Sequence, residues 1–403
     1  MRILIADKLS SHVQQELIQQ DCTVRVNPSI KGDTLTATLG DFDPQVLVVR
    51  STKVQKEHLT AAPSLSLIIR AGAGVNTIDL DTASNQGIYV ANCPGKNAVA
   101  VAELAMGHII NADRRIADNV MALRNGQWGK KTFTKNCSGL KHRTLGIIGM
   151  GSIGRELAQR ATAFEMNVLG WDPFVDEKTM TSCGVSKVEE LLDMVGRVNA
   201  LSVHLPLNDT TRGLINAEVL QALQPGSIFI NTSRGEVVNE AHLATAVQER
   251  GIRAGLDVFC QEPSSDGEWE QPLAKLDNVF GTHHIGASTA QASEAVGDEV
   301  IHIISTWLAT GSVPNCVNLA QQKHASHLLV VRHEDAVGVL ADILDKLRRA
   351  NINVQEMENI IFRGAKAACA RIQVNRPPSS DILNELRQSD RIFATDLIPL
   401  SNT

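Results

Sequence analysis

Residues 144–172 read TLGIIGMGSIGRELAQRATAFEMNVLGWD, and the fold follows from how that stretch has to be built. Leu145–Ile148 is a short apolar run of the kind that forms a strand buried on both faces. Gly149, Gly151 and Gly154 follow at the spacing of a phosphate-binding turn. The first permits the tight turn, the second lets a pyrophosphate approach the backbone, and the third lets the next helix pack on the strand. RELAQRATAF is helical in pattern, and Ser152, Ile153 and Gly154 open its first turn, where free N–H groups face an anion. Asp172 stands 18 residues beyond Gly154, at the end of the next apolar run. A carboxylate there accepts from ribose hydroxyls and repels a 2′-phosphate, which points to NAD rather than NADP. The alternative for Asp172 is a turn cap before Pro173.

Working outward, the same alternation recurs. Ile3–Ala6, Val46–Val49, Leu67–Ile69, Ile88–Ala91, Asn167–Gly170, Ala200–Val203, Ile228–Ile230 and Ala254–Asp257 are short apolar runs spaced by helical patterns. They imply an α/β architecture of two doubly wound, Rossmann-like parallel-sheet lobes, since one open sheet of some ten strands would be unusual. Residues 97–125 read as one helix crossing between the lobes. A helical pattern at 288–308 comes after the second lobe is complete and lets the chain return to the first, which is then discontinuous. Beyond residue 322 the order strand–helix–strand–strand–helix–strand predicts a small ferredoxin-like βαββαβ unit.

Composition bounds the partners. The chain has 403 residues, 43% of them apolar and 20% charged, which suits two or three globular domains and excludes a disordered or collagen-like chain. The 38 basic and 44 acidic residues give a net charge of −6, against nucleic-acid binding. No apolar stretch reaches the length of a membrane span, and MRILIAD opens as a strand rather than a secretory signal. The seven cysteines are scattered, odd in number and without a CxxC pair. A reduced, cytoplasmic protein without a metal site is expected.

Three polar residues follow apolar runs in the second lobe: Arg234 in NTSRG, Glu262 in DVFCQEP and His284 in GTHHIGAST. Ligands of open α/β sheets gather at the carboxyl ends of strands, so the three are candidates for one cleft. An arginine can hold a carboxylate through two hydrogen bonds, an imidazole can carry a proton to or from a hydroxyl, and a carboxylate can fix that imidazole. Singly, each has a plainer reading: a surface arginine, a turn glutamate before Pro263, a core or capping histidine.

GMGSIG with Asp172, then NTSRG, DVFCQEP and HHIGAST, resemble the D-isomer-specific 2-hydroxyacid dehydrogenases. VVRSTKV, IIRAGAGVNTID, GIYVANCPGKNAVAVAE and GQWGKK extend the likeness over residues 45–320. The resemblance implies a catalytic set of Arg234, Glu262 and His284, with His284 rather than His283 as the acid–base. It implies cofactor contacts from His204, Leu205 and Pro206, from Thr232 and Ser233, and from Asp257 and Gly286, beside the glycine loop. Arg50, Ser51, Ala73, Gly74 and Asn97 match the substrate-side positions. The likeness is greatest to members that oxidise D-3-phosphoglycerate to 3-phosphohydroxypyruvate for L-serine synthesis, with Arg50, Lys53 and the Lys130–Lys131 pair as phosphate candidates. HEDAVGVL followed by NINV resembles an ACT regulatory domain, in which His333, Asp335 and Asn353 match amino-acid effector positions. Asp335 in place of a common Asn would repel a serine carboxylate.

The expected division is 1–96 as the first part of a substrate-binding domain, 97–286 as an NAD-binding domain and 287–314 as the return. A linker at 315–325 and an ACT domain at 326–403 follow. A homo-oligomer, dimer or tetramer, is also implied. Two other readings stay open: a dehydrogenase acting on glycerate, hydroxypyruvate, glyoxylate or 2-oxoglutarate, and a non-catalytic NAD(H)-sensing protein.

Overall fold

The computed structural model describes residues 1–263, 266–320 and 325–400; 321–324, inside the expected linker, lie outside the described residues. The chain forms two compact units, Met1–Asn318 and Leu319–Thr403.

The first unit holds two parallel sheets. One has strands β1 (Arg2–Ile5), β2 (Thr23–Val26), β3 (Val46–Val49), β4 (Leu67–Arg70) and β5 (Tyr89–Asn92) in the order β2-β1-β3-β4-β5. Its central strands are buried on both faces, which is why VLVV at β3 is continuously apolar instead of alternating. Helix Ala290–Thr310, capped by Thr289 Oγ1 accepting from Ala292 N–H, covers one face. Its Val296, Val300, Ile303 and Ile304 share a core with Ile3, Val46 and Ile69, so the chain does return to the first lobe.

The second sheet contains β6 (Thr144–Ile148), β7 (Asn167–Trp171), β8 (Ser186–Lys187), β9 (Ala200–Val203), β10 (Ile228–Asn231), β11 (Arg253–Leu256) and β12 (Val279–Gly281). Their order, β12-β11-β10-β9-β6-β7-β8, reverses direction between β6 and β9. That switch point leaves a crevice beyond the carboxyl ends of the two strands, where a ligand fits.

The helix expected over 97–125 is two helices, Ala98–Arg114 and Ile116–Arg124. Arg115 breaks it at φ 51°. Asn111 stabilises the break, its carbonyl accepting from Arg115 N–H and its side chain from Ala117 N–H.

The second unit pairs β13 (His327–Glu334), β14 (Val354–Ile361), β15 (Ala367–Val374) and β16 (Ile392–Pro399) antiparallel, in the order β14-β15-β13-β16. Helices Val339–Arg349 and Ser380–Arg387 lay Ile343, Leu347 and Leu386 on Leu329, Val331 and Ile372, the ferredoxin-like arrangement. Among the described residues no helix is long and apolar enough to cross a membrane.

Candidate active site

The three glycines of the β6 turn do different work. A Cβ on Gly149, whose φ is 92°, would lie 2.4 Å from the His204 carbonyl oxygen. One on Gly154 would lie 2.1 Å from the Gly149 carbonyl oxygen, while one on Gly151 would meet nothing within 4 Å. Gly149 and Gly154 are therefore required by the fold, and Gly151 keeps open the space over the start of helix Ser152–Ala163, which has no side-chain cap. Ser152 and Ile153 open that helix, and the Ser152 hydroxyl lies close to Gly95 from the first lobe.

Asp172 takes the turn-cap role read as its alternative. Its Oδ2 accepts from Met150 N–H and its Oδ1 from Phe174 N–H, each at 2.9 Å, so it braces the glycine loop and caps the turn. Half-buried, it keeps lone pairs for a ribose. On the other side of the crevice, His204 Nε2 pairs with Ser202 Oγ at 2.8 Å while its Nδ1 is buried without a partner. Burial pushes this imidazole down to about 4, so it is neutral. Leu205 packs beside Gly149, and the Pro206 carbonyl accepts from Thr211 Oγ1 at 2.6 Å. Thr232 Oγ1 is a second buried orphan, at the end of the adjacent strand. Ser233 donates through its N–H and Oγ to Asn231 Oδ1, and Asn231 Nδ2 donates to the Arg234 carbonyl. Asn231, which the sequence reading passed over, thus shapes the turn that presents Arg234. Open space over an uncapped helix start, a braced carboxylate and two orphaned polar atoms at strand ends suit a dinucleotide.

His284 Nδ1 and Glu262 Oε2 are 2.6 Å apart, and Glu262 Oε1 accepts from Phe259 N–H. The hydrogen bond to Glu262 raises the His284 pKa against the opposing effect of burial. Burial also works against charge on Glu262, but the bonds from His284 and Phe259 outweigh it and its pKa is lowered. Both groups feel the positive charge of Arg234. The structure therefore brings the three together. His284 itself lies at φ 52°, a strained conformation for a residue with a Cβ.

Asp257 lies beneath the turn that carries His284. Its carboxylate, 1% exposed, accepts from Thr282 Oγ1, Ile285 N–H and Gly286 N–H. Those bonds tie it to the His284 turn, and a Cβ on Gly286 would lie 2.9 Å from its Oδ2.

On the first lobe, buried Asp7 gathers the substrate-side turn. It accepts from the N–H groups of Arg50, Ser51 and Thr52 and from Ser51 Oγ. Ser51 spends its proton there, which leaves only acceptor capacity for a ligand. The Ala73 carbonyl accepts from Asn92 Nδ2. Gly74 is approached so closely by Arg234 that a Cβ would lie 2.7 Å from Nη2. Asn97 caps the start of helix Ala98–Arg114 with no side-chain hydrogen bond of its own. Lys53, Lys130 and Lys131 are exposed.

Arg70 was also missed. At the end of β4, it folds its guanidinium over Gly72, and its Nε is buried without a partner. Burial, Arg234 and Arg50 all act against its charge. No described carboxylate forms an ion pair with Arg50, Arg70 or Arg234. The signal was an arginine ending the apolar run LSLII, where a solvated surface residue is not expected.

In the second unit, His333 is held inside the fold. It is 1% exposed, and its ring nitrogens meet the Glu334 carbonyl and Asn359 Oδ1 inside the fold. Half-buried Asp335 and exposed Asn353 remain accessible.

Residues 106–286 match the family described as D-isomer specific 2-hydroxyacid dehydrogenase, NAD binding domain. A hydroxypyruvate reductase of Thermotoga maritima is 39% identical over 305 residues, 75% of this chain and 97% of that protein. The chain belongs to the D-isomer specific 2-hydroxyacid dehydrogenase family. A D-3-phosphoglycerate dehydrogenase of Methanocaldococcus jannaschii is 37% identical over 321 residues, 79% of this chain and 60% of that relative. The chain spans about three-fifths of the length of that curated relative. An NAD⁺-bound 3-phosphoglycerate dehydrogenase of Entamoeba histolytica superposes with a TM-score of 0.65 at 26% identity, over 79% of this chain and 99% of its own. As a family member, the chain carries its NAD-binding domain on the second sheet.

Proposed function

We propose that this dehydrogenase oxidises D-3-phosphoglycerate to 3-phosphohydroxypyruvate with NAD⁺. The observation that carries the reading is the set of Arg50, Arg70 and Arg234, without carboxylate partners among the described residues, beside the His284–Glu262 pair. Half-buried guanidiniums that repel one another call for an anion, and a phosphorylated hydroxy acid brings two.

Residues 97–286 hold the dinucleotide, with 1–96 and 287–314 completing the acid site. A nicotinamide bound there supplies the hydride acceptor. Arg234 holds the substrate carboxylate so that C2 is oriented, and His284 Nε2 takes the hydroxyl proton while Glu262 fixes the ring through Nδ1. Arg50 and Arg70 neutralise the phosphate, and the N–H groups beyond Gly151 meet the pyrophosphate, with Asp172 on the ribose.

A second reading, reduction of hydroxypyruvate, is favoured by the Thermotoga maritima relative, which this chain matches over nearly all of its length. Initial rates with D-3-phosphoglycerate and D-glycerate separate the two. Under the first reading Arg70→Met lowers kcat/KM for the phosphorylated acid ~30-fold, the loss of one charge-assisted pair worth ~2 kcal/mol, and spares D-glycerate. Equal losses on both acids would remove the phosphate role.

The second unit fits an ACT-like effector or assembly domain. Self-association is supported in the first unit by Ile116, Val120, Met121 and Leu123 on one exposed helix, beside Trp128, which is 84% exposed. Seven unpaired cysteines among the described residues suit a reducing, cytoplasmic setting.

A further inference from the structure

Helix Ala98–Arg114 turns one stripe, Val101, Leu104 and His108, toward the turn that carries His284. The spacing is that of one helix face. A Cβ on Gly286 would lie 3.4 Å from Val101 Cγ2 and 3.7 Å from Leu104 Cδ2, and His108 Nε2 lies 3.1 Å from Thr282 Oγ1. Two of these positions are aliphatic. The third is a histidine only 4% exposed, where a leucine or methionine would fill the same space. Strand β11 admits it through Gly255, whose Cβ would lie 2.7 Å from the His108 Cβ.

The hydrogen bonds beyond His108 have one direction. Thr282 spends its single proton on Asp257 Oδ1 at 2.6 Å, so its oxygen accepts from His108 Nε2–H and the tautomer is set. Burial holds the His108 pKa below its ordinary value, and Asp257 is the charged group that acts on it. Asp257 in turn accepts from Ile285 N–H and Gly286 N–H, both at 2.8 Å, and its carbonyl accepts from His284 N–H at 2.9 Å. These bonds hold His284 in its left-handed conformation. The charged groups acting on His284 are Glu262, Asp257 and Arg234.

We propose that His108 is a positioning residue for His284, acting through Thr282 and Asp257 to hold the imidazole against Glu262. The proposal rests on the dehydrogenase reading for its kinetic consequence but not for its structural one. It is tested in the full chain with His108→Met, Thr282→Val and the double variant. The first readout is the titration of the His284 imidazole by NMR without substrate, its signal identified by loss in His284→Gln. The second is the kcat and KM for reduction of a 2-oxo acid, with NADH affinity from fluorescence.

Each single variant is expected to lower the His284 pKa by about half a unit as contact with Glu262 loosens. It should also cut kcat on the order of tenfold with KM and NADH affinity little changed. The double variant should be no worse than the poorer single, since both break one chain of contacts. An unchanged His284 titration in folded His108→Met and Thr282→Val proteins overturns the proposal, as does strict additivity. Should no 2-oxo acid be reduced even by the unmodified chain, the function assignment fails while the titration still decides the positioning role.

Discussion

Among single side chains, the proposed reaction takes its pH response from the His284–Glu262 contact. Oxidation needs His284 neutral, so its rate rises with pH through the raised histidine pKa; reduction needs it protonated and falls over the same range. Glu262→Gln removes the charge that favours the imidazolium. The acid limb of kcat/KM for oxidation should move to lower pH by about one unit or more, with a reduced maximum, in a pH–rate profile. An unmoved limb would mean that another group titrates. The three candidate chemical residues could be singled out because each follows an apolar run, a few residues beyond a strand's carboxyl end. Arg70, Asp7 and His108 were not singled out, because their importance lies in contacts with residues far away in the chain, and Asn231 was not because its bonds to Ser233 and Arg234 leave no periodic signal. Asp7, for example, accepts from residues 43 to 45 positions later.

Secondary-structure elements show the same divide. The glycine loop was readable because its constraints are local, and it separates two kinds of glycine. Gly154→Ala drives a Cβ into the Gly149 carbonyl and should lower the melting temperature by several degrees, on the order of 2 kcal/mol. Gly151→Ala meets no protein atom, so the melting temperature should hold while NADH affinity falls about tenfold or more. Thermal melts and NADH titrations of both variants check this, and equal melting losses would contradict the reading of Gly151. The two-residue β8 was too short to carry a periodic signal, and the break at Arg115 depends on Asn111 side-chain and backbone bonds that helical spacing does not encode.

For the molecule as a whole, the parallel order of both sheets was legible from buried strands alternating with helices. The burial of His333 was not, because it comes from strands distant in sequence, with Asn359 Oδ1 of β14 reaching its Nε2. Two arrangements define the chemistry. The second sheet places the glycine loop, Asp172, Glu262 and His284 beyond the carboxyl ends of its strands, and the first supplies Arg50 and Arg70. Arg234 reaches between them to Gly74, where a Cβ would lie 2.7 Å from its Nη2. The most direct measurement is the rate of NADH formation from NAD⁺ and D-3-phosphoglycerate by the intact chain, beside His284→Gln and the non-phosphorylated D-glycerate. The account predicts turnover that collapses in His284→Gln by at least about a hundredfold and strongly favours the phosphorylated acid. Undiminished turnover in His284→Gln would contradict it at its centre.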